Sequence, residues 1–392
     1  MNVLYVNHTG VVSGGEHSLL ILLRSLPPVV TPLVACPGGR LATEVERIGL
    51  PTAPITGTAG SLRLHPLHTP RALAELSIAA AQVRRLARRH RADVVHANSI
   101  RSGIVLALAR LGVPTVVHVR DCLPAGVLTS ATMRLIAASA TTIVANSDYT
   151  ARSVRSAAPG AVPEVVYNPV DLEYWDPARI SRADARARLS AELDAELEGR
   201  LLLGVVAQIT PWKGQDTAIE ALRLLVERGV DAHLLLIGSP KFVARATRYD
   251  NEGYVERLRA AIARADLEHR VSWLDEREDV PQLMRALDML LAPSHEEPFG
   301  RTVIEAMALR VPVLATSVGG PSEILEDGVQ GRLLPPVEPA AWAQAIREIA
   351  ASPELAERMG SEGRRRVEAL FTVQQHVEAM LSIYRASSSA EA

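Results

Sequence analysis

Residues 289–308 read MLLAPSHEEPFGRTVIEAMA. Four apolar residues, 289–292, open the run with the pattern of a short buried strand, and residues 301–308 close it as a helix of good formers. Between them Pro298, Phe299 and Gly300 bring the chain sharply onto the helix N-terminus. Such a start offers unpaired N–H groups that suit a phosphate or sugar oxygen. Glu297 precedes the turn and Glu305 lies in the early helix, and carboxylates accept hydrogen bonds well from sugar hydroxyls. Plainer readings stand beside these. Glu305 also complements the helix dipole, and Glu296 is read as solvated. A strand, a polar turn and a helix form the repeating unit of a parallel α/β sheet.

Working outward, the same alternation fills the chain. Expected strands in the first half are 3–7, 33–36, 93–98, 115–120 and 142–146, with amphipathic stretches at 16–26, 71–90 and 102–111 between them. A break follows at Tyr167-Asn168-Pro169-Val170-Asp171, then a polar helical stretch to about residue 200. The alternation restarts with strands at 201–208, 233–238, 270–274, 289–292 and 311–316. The fold class is therefore α/β, with two doubly wound Rossmann-like domains, 1–170 and 171–371. A last helix, about 372–387, is expected to pack back on the first domain. Such domains bind ligands at the carboxyl ends of their strands, so the expected site is the cleft between them.

Length and composition agree. The 392 residues are comfortable for two cores, and 48% apolar content excludes a disordered chain. Two cysteines, Cys36 and Cys122, cannot build a disulfide framework. The opening MNVLYVN lacks a basic flank and a cleavage site, and no apolar run reaches the roughly 18 residues of a membrane span, so a cytoplasmic protein is expected. Net charge is −2, but residues 1–170 hold 16 Arg, no Lys and 8 acidic residues, a balance of +8, while the rest carries −10. That split fits solvated helix faces first, and an anionic acceptor or a membrane surface second. Nucleic acid is not an expected partner. Only Lys213 and Lys241 stand against 40 arginines, a bias that matches GC-rich, actinobacterial coding and makes a lysine inside a motif noticeable.

Two further turns carry small or polar residues. Gly14 and Gly15 follow the first strand, where paired glycines let backbone N–H groups approach a ligand. The full GxGxxG spacing is missing, which argues against a dinucleotide-dependent oxidoreductase. The first strand of the second domain ends in Gln208-Ile209-Thr210-Pro211-Trp212-Lys213-Gly214, with a helix over 215–227. A lysine near a helix start is mildly unfavourable. There it suits a negative ligand better than an idle surface position.

Taken together, Glu297 and Glu305 with seven residues between them, the PFG turn, EAMA at 305–308, Pro312, Val318-Gly319-Gly320-Pro321-Ser322-Glu323-Ile324, Asp327-Gly328, Gly331 and Lys213-Gly214 resemble the retaining GT-B glycosyltransferases of family 4. The pattern runs over residues 201–335 and is specific there. The first half matches more loosely, through Gly14-Gly15, Asn146-Ser147 and Asn168-Pro169-Val170-Asp171. The resemblance implies a nucleotide diphosphate sugar, with UDP favoured, as donor co-substrate. It implies a hydroxyl acceptor and neither a metal ion nor a cofactor. It assigns Glu305 to the ribose hydroxyls and Glu297 to hydroxyls of the transferred sugar. By the same match backbone amides of Phe299, Gly300, Arg301 and Thr302 would meet sugar and phosphate, Lys213 would neutralise the diphosphate, and 273–277, with Trp273 and Arg277, would line the base, largely through backbone atoms.

The chain also departs from the family. Gln208 stands where relatives often have arginine, and Asp275 where glycine is common. On the strand at 115–120, where relatives often carry a histidine at the end, Arg120 takes that place with His118 two residues earlier on the same face. Both are candidates for the catalytic edge. The mechanism implied is transfer with retention, the leaving diphosphate helping to deprotonate the incoming hydroxyl on the same face. The protein supplies positioning and charge, and the glutamates are not the acid and nucleophile of a hydrolase. A nucleotide-sugar 2-epimerase and a non-catalytic sugar-nucleotide-binding protein are the alternatives, separated by product analysis without acceptor.

The acceptor itself is not written in a motif. Natural-product, polysaccharide and glycolipid intermediates all fit. Its contacts are expected from loops 56–69, with His65 and His68, and 121–128; a long connection, 241–251, shapes the site. Helix 71–91 carries an apolar row at Leu73, Leu76, Ala80, Val83 and Ala87, with Arg84, Arg85, Arg88 and Arg89 elsewhere, the pattern of a core-facing helix with a wet basic face. Peripheral membrane contact is the second reading of that face.

Overall fold

The computed structural model describes residues 1–58, 68–241 and 250–389. Outside the described residues lie most of the expected acceptor loop, including His65, and the middle of the 241–251 connection. The chain divides into two compact units, Met1–Pro169 with Val373–Ala392, and Val170–Thr372.

The first unit runs β1 (Asn2–Val6), α1 (Gly14–Arg24), β2 (Thr31–Cys36), α2 (Arg40–Arg47), β3 (Thr52–Pro54), α3 (His68–His90), β4 (Val94–Ala97), α4 (Ile100–Ala109), β5 (Thr115–Val119), α5 (Val127–Ser139), β6 (Thr142–Ala145), α6 (Asp148–Ala157) and β7 (Glu164–Val165). The second runs α7 (Arg182–Leu193), β8 (Leu201–Val206), α8 (Gln215–Glu227), β9 (Ala232–Ile237), α9 (Asn251–Arg264), β10 (Val271–Leu274), α10 (Val280–Ala286), β11 (Met289–Ala292), α11 (Arg301–Ala308), β12 (Val313–Thr316), α12 (Pro321–Ile324), β13 (Gly331–Leu334), α13 (Pro339–Ala350) and α14 (Pro353–Leu370). The last helix, α15 (Val373–Ser389), belongs to the first unit.

Both sheets are wholly parallel, in the orders β3-β2-β1-β4-β5-β6-β7 and β10-β9-β8-β11-β12-β13. Parallel strands covered by helices on both faces are apolar throughout rather than alternating, and β1, NVLYV, is buried from Val3 to Val6. Period two still sorts the side chains between the two faces. Leu4, Val6, Val95, Ala97, Val117 and Val119 pack on one face with Val83, Ile104 and Met133 from α3, α4 and α5. Val3, Tyr5, Val94 and Val116 pack on the other with Leu19 and Leu22 of α1 and Met380 and Tyr384 of α15. In the second unit Leu203, Val205, Leu234, Leu236 and Met289 meet Leu222 of α8 and Trp342 of α13.

Differences from expectation are local. Three strands, β3, β7 and β13, were not expected; β3 and β7 are short edge pieces, as the sheet order shows. The loop at 121–128 gives way to α5 from Val127 onward. On α3 the apolar row begins later than the sequence suggests. Leu73 is 58% exposed, whereas Ala80, Val83 and Ala87 are buried. Among the described residues no helix is long and apolar enough to cross a membrane.

Candidate nucleotide-sugar site

In the second sheet the chain runs β8, β9, β10 to one side and then crosses to β11 on the other. The point where strand order reverses, between the carboxyl ends of β8 and β11, is where open α/β sheets hold ligands. Two turns meet there. After β8, Pro211–Lys213 make one 3-10 turn, and Gly214 follows with φ 71 at the N-cap of α8. A Cβ on Gly214 would lie 2.0 Å from the Pro293 carbonyl oxygen, so only glycine lets the two turns touch. His295 N donates to Trp212 O at 2.8 Å and ties them.

The contact brings Lys213 Nζ to 2.6 Å from Glu297 Oε2, and Ser294 Oγ donates to the same oxygen at 3.0 Å. The ammonium also lies 3.9 Å from the Trp212 ring centroid. Both charged side chains are largely shielded, 17% and 14% exposed. The turn after β12 forms the floor. Gly320 N donates to Glu297 O at 2.8 Å, and Glu297 N to Val318 O at 3.2 Å. Gly319, at φ 109, could carry no Cβ, which would fall 2.0 Å from Glu297 O. Gly300, at φ 108, then caps α11. Glu305, one turn into α11, is buried and accepts from Arg301 Nη2 at 2.8 Å. Phe299 is 2% exposed with its ring against Phe371, so this residue reaches a ligand through its backbone alone.

The other expected donor residues include Gln208, Trp273 and Arg277. Gln208 O accepts from Gln215 Nε2 at 2.9 Å. Trp273 is on β10, an edge strand two places from β8, roughly 10 Å across the sheet. Its ring is packed on the core, with the Arg259 guanidinium 5.8 Å away. The Arg277 guanidinium is bound to Asp279 and Glu192, whose carboxylates hold it charged more firmly still.

In the first unit the strand order reverses between β1 and β4. Gly14 and Gly15 start α1 there. Glu16 is locked in place, accepting from Ser13 N at 3.1 Å and Asn7 Nδ2 at 3.2 Å. A Cβ on Gly15 would come within 3.1 Å of Arg120 Cδ. Gly15 thus makes room for Arg120, which emerges just after β5. Its Nε donates to Asn98 Oδ1 at 3.0 Å and its Nη1 to Asn168 Oδ1 at 2.6 Å, while Asn146 Nδ2 donates to its carbonyl at 3.2 Å.

His118 does not share this position. It is 0% exposed, its ring 5.7 Å from that of His96 and 6.4 Å from that of His376. Among the described residues neither ring nitrogen has a hydrogen-bond partner. Burial and the neighbouring Arg120 charge hold its pKa well below the ordinary histidine value. Of the two candidates on β5, Arg120 reaches the carboxyl edge and His118 is a core residue beneath α15.

The sequence reading assigns no individual role to Asn98, Ser294, His8 or Arg101. His8 Nδ1 lies 3.0 Å from Ser99 Oγ, and Arg101 Nη1 donates to Thr58 O at 3.1 Å. One signal was present. The tripeptide Ala-Asn-Ser occurs at 97–99 and 145–147. In both copies the asparagine holds Arg120 and the serine caps the next helix, accepting from Ser102 N and Thr150 N. Among the described residues no cluster of three His, Cys, Asp or Glu could hold a metal ion.

Residues 192–366 match the family model of glycosyl transferases group 1, and residues 12–174 that of glycosyltransferase family 4. A D-inositol 3-phosphate glycosyltransferase of Mycolicibacterium gilvum is 30% identical over 362 residues, 87% of this chain and 72% of that protein. Spore coat protein SA of Bacillus subtilis is 30% identical over 248 residues, 62% of this chain and 64% of its own length. Among solved structures, Anabaena Alr3699/HepE in complex with UDP has a TM-score of 0.82 at 25% identity, covering 98% of this chain and 100% of that one.

Proposed function

The chain belongs to the group 1 and family 4 glycosyltransferases, and on that footing we propose that it moves a hexose-type sugar from a UDP-sugar to a hydroxyl acceptor with retention at the anomeric carbon. The observation that carries this reading is the Lys213–Glu297 contact at the β8–β11 switch point, with Glu305 on the helix that follows. An ammonium serves the diphosphate, and two carboxylates eight positions apart serve hydroxyls at either end of a nucleotide sugar. Arrival of the donor divides the pair, Lys213 turning to phosphate oxygens and Glu297 to the sugar.

In the step itself the bond from the anomeric carbon to the diphosphate breaks. A bond to the acceptor oxygen forms on the same face, and the acceptor proton passes to a diphosphate oxygen. Lys213 stabilises the charge that builds on the leaving group, and Arg120 is the buried cationic candidate at the carboxyl edge of the first sheet. The reading needs no resident cofactor or metal ion. The preference for UDP draws support from Anabaena HepE, whose solved structures include complexes with UDP and with UDP-glucose. The acceptor hydroxyl belongs to a natural-product, polysaccharide or glycolipid intermediate.

A thermal-shift screen against UDP-, GDP- and ADP-sugars tests the donor, and NMR of the product tests its anomeric configuration. Stabilisation by UDP-sugars with a retained product is expected. No response to any nucleotide sugar, or an inverted product, overturns the reading.

A further inference from the structure

At the amino-terminal edge of the first sheet, opposite to Gly15 and Arg120, the turns that lead into β4 and β5 enclose a pocket of about 160 Å³. Arg84, Arg88, Arg91 and Arg110 line it, with Ala87, Ala92 and the Leu111–Val113 turn, and among the described residues no acidic one is in the lining. Arg84 is committed to structure, its Nε donating to Ala109 O at 2.6 Å. Among the described residues none of the four lies in an ion pair with a carboxylate. Asp93, the nearest acid in sequence, is turned to Asn2 N at 2.7 Å. Arg88, Arg91 and Arg110 are exposed, so their mutual repulsion is softened by water but not cancelled.

The backbone adds a second observation. Arg91, at φ 49, follows the end of α3, and Ala92 N closes the turn on Ala87 O at 2.9 Å. Arg110, at φ 46, ends α4 in the same left-handed conformation. Glycine is the usual residue at such positions because any Cβ is disfavoured there. A left-handed arginine is not in itself a site, since Arg310 adopts φ 58 as well. Two of them turned into one pocket, with two more arginines and no acid, is a different matter. Strain and like charge both weigh against the arrangement in the free protein, and an anion would offset both.

We propose that this pocket binds a phosphate-type anion, separate from the donor site, through Arg84, Arg88, Arg91 and Arg110. The shared chemistry is a multiply charged phosphate, carried either on a soluble molecule or on a lipid headgroup.

The test compares the full chain with an Arg91→Gly/Arg110→Gly variant. Inorganic diphosphate is titrated calorimetrically into each with UDP present at saturating concentration. Sedimentation is then measured with vesicles of phosphatidylcholine alone and with added phosphatidic acid. The wild type is expected to bind diphosphate, or vesicles only when phosphatidic acid is present, and the variant at least about 10-fold more weakly, two charge-assisted contacts being removed. Glycine relieves the backbone, so Tm of the variant should rise by about 2–4 °C. Diphosphate binding alone assigns a soluble ligand, and vesicle binding alone a headgroup. Equal binding by the two proteins, no binding of either probe by the wild type, or a lower Tm in the variant overturns the proposal. In that last case the arginines are there to complement their helix ends.

Discussion

Lys213 Nζ stands 2.6 Å from Glu297 Oε2, although the two lie 84 positions apart in sequence. Each is the other's counter-ion, and Ser294 holds Glu297 from the side. Removing the lysine leaves the carboxylate hydrogen-bonded, so the fold should survive. Lys213→Ala is expected to lose about 10²–10³ in turnover with Tm lowered by no more than about 4 °C. A direct transfer assay beside a melting curve measures both, and unimpaired turnover removes Lys213 from the mechanism.

Glu305 is proposed to hold the other end of the donor. It is 7% exposed and paired to Arg301 along α11. Hydrogen bonds to a charged group contribute about 1.5–3 kcal/mol. Glu305→Gln should therefore weaken UDP affinity by roughly 10- to 100-fold while leaving kcat at saturating donor within about threefold. A drop in kcat with unchanged KM would place Glu305 at the reacting sugar instead.

Arg120 makes a demand that lysine cannot meet. Its fork serves Asn98 Oδ1 and Asn168 Oδ1 at once, and a point ammonium satisfies one of them. Arg120→Lys leaves a buried amide oxygen unpaired, at about 1–3 kcal/mol. We expect kcat/KM to fall at least 10-fold, about 1.4 kcal/mol, and Tm to fall with it. Gly15→Ala, which presses on Arg120 Cδ, should lower kcat/KM in the same direction. Wild-type activity in Arg120→Lys would show that Arg120 serves the fold alone.

Acid sensitivity follows from the histidines under α15. Burial, with the Arg120 charge next, holds His96 and His118 neutral, and the same two causes lower His376 to about 3. His8 and His233 are lowered to about 4, chiefly by burial. A group whose folded pKa is depressed binds its proton more readily when unfolded. Stability from these histidines is therefore complete above an unfolded value of about 6.5 and is lost as pH falls below it. Tm should decline steadily from pH 7 to pH 4.5. His118→Leu removes one titrating group whose ring nitrogens have no partner to lose, and should flatten that slope by about one proton. An unaltered slope would mean that His118 takes up no proton on unfolding.

Much of this was legible in the sequence, for a physical reason. Strands buried on both faces are short runs of Val, Leu, Ile and Ala, and β1, β5, β8 and β11 stand out as such. The edge strand β10 was legible too, but β3 and β7 were not, because β3 has three residues beside prolines and β7 only two, too few to carry a period. The turn at 293–300 was readable as a ligand turn, but its pairing with Lys213 was not. That contact depends on Gly214 and Gly319 admitting backbone oxygens where a Cβ would stand, a fact of three dimensions. The choice between His118 and Arg120 was likewise closed to sequence. Both point to one face of β5, and what separates them is depth, set by α15 folding back over the sheet.

The central claim, that Lys213 and Glu305 form the two ends of a UDP-sugar site, is met most directly by isothermal titration of UDP into the wild-type chain, Lys213→Ala and the Lys213→Ala/Glu305→Ala double variant. The account predicts saturable one-to-one binding to the wild type, at least 10-fold weaker binding in the single variant, about 1.4 kcal/mol, and none detectable in the double. An absence of UDP binding by the wild type, or affinities that are the same in all three, would contradict it.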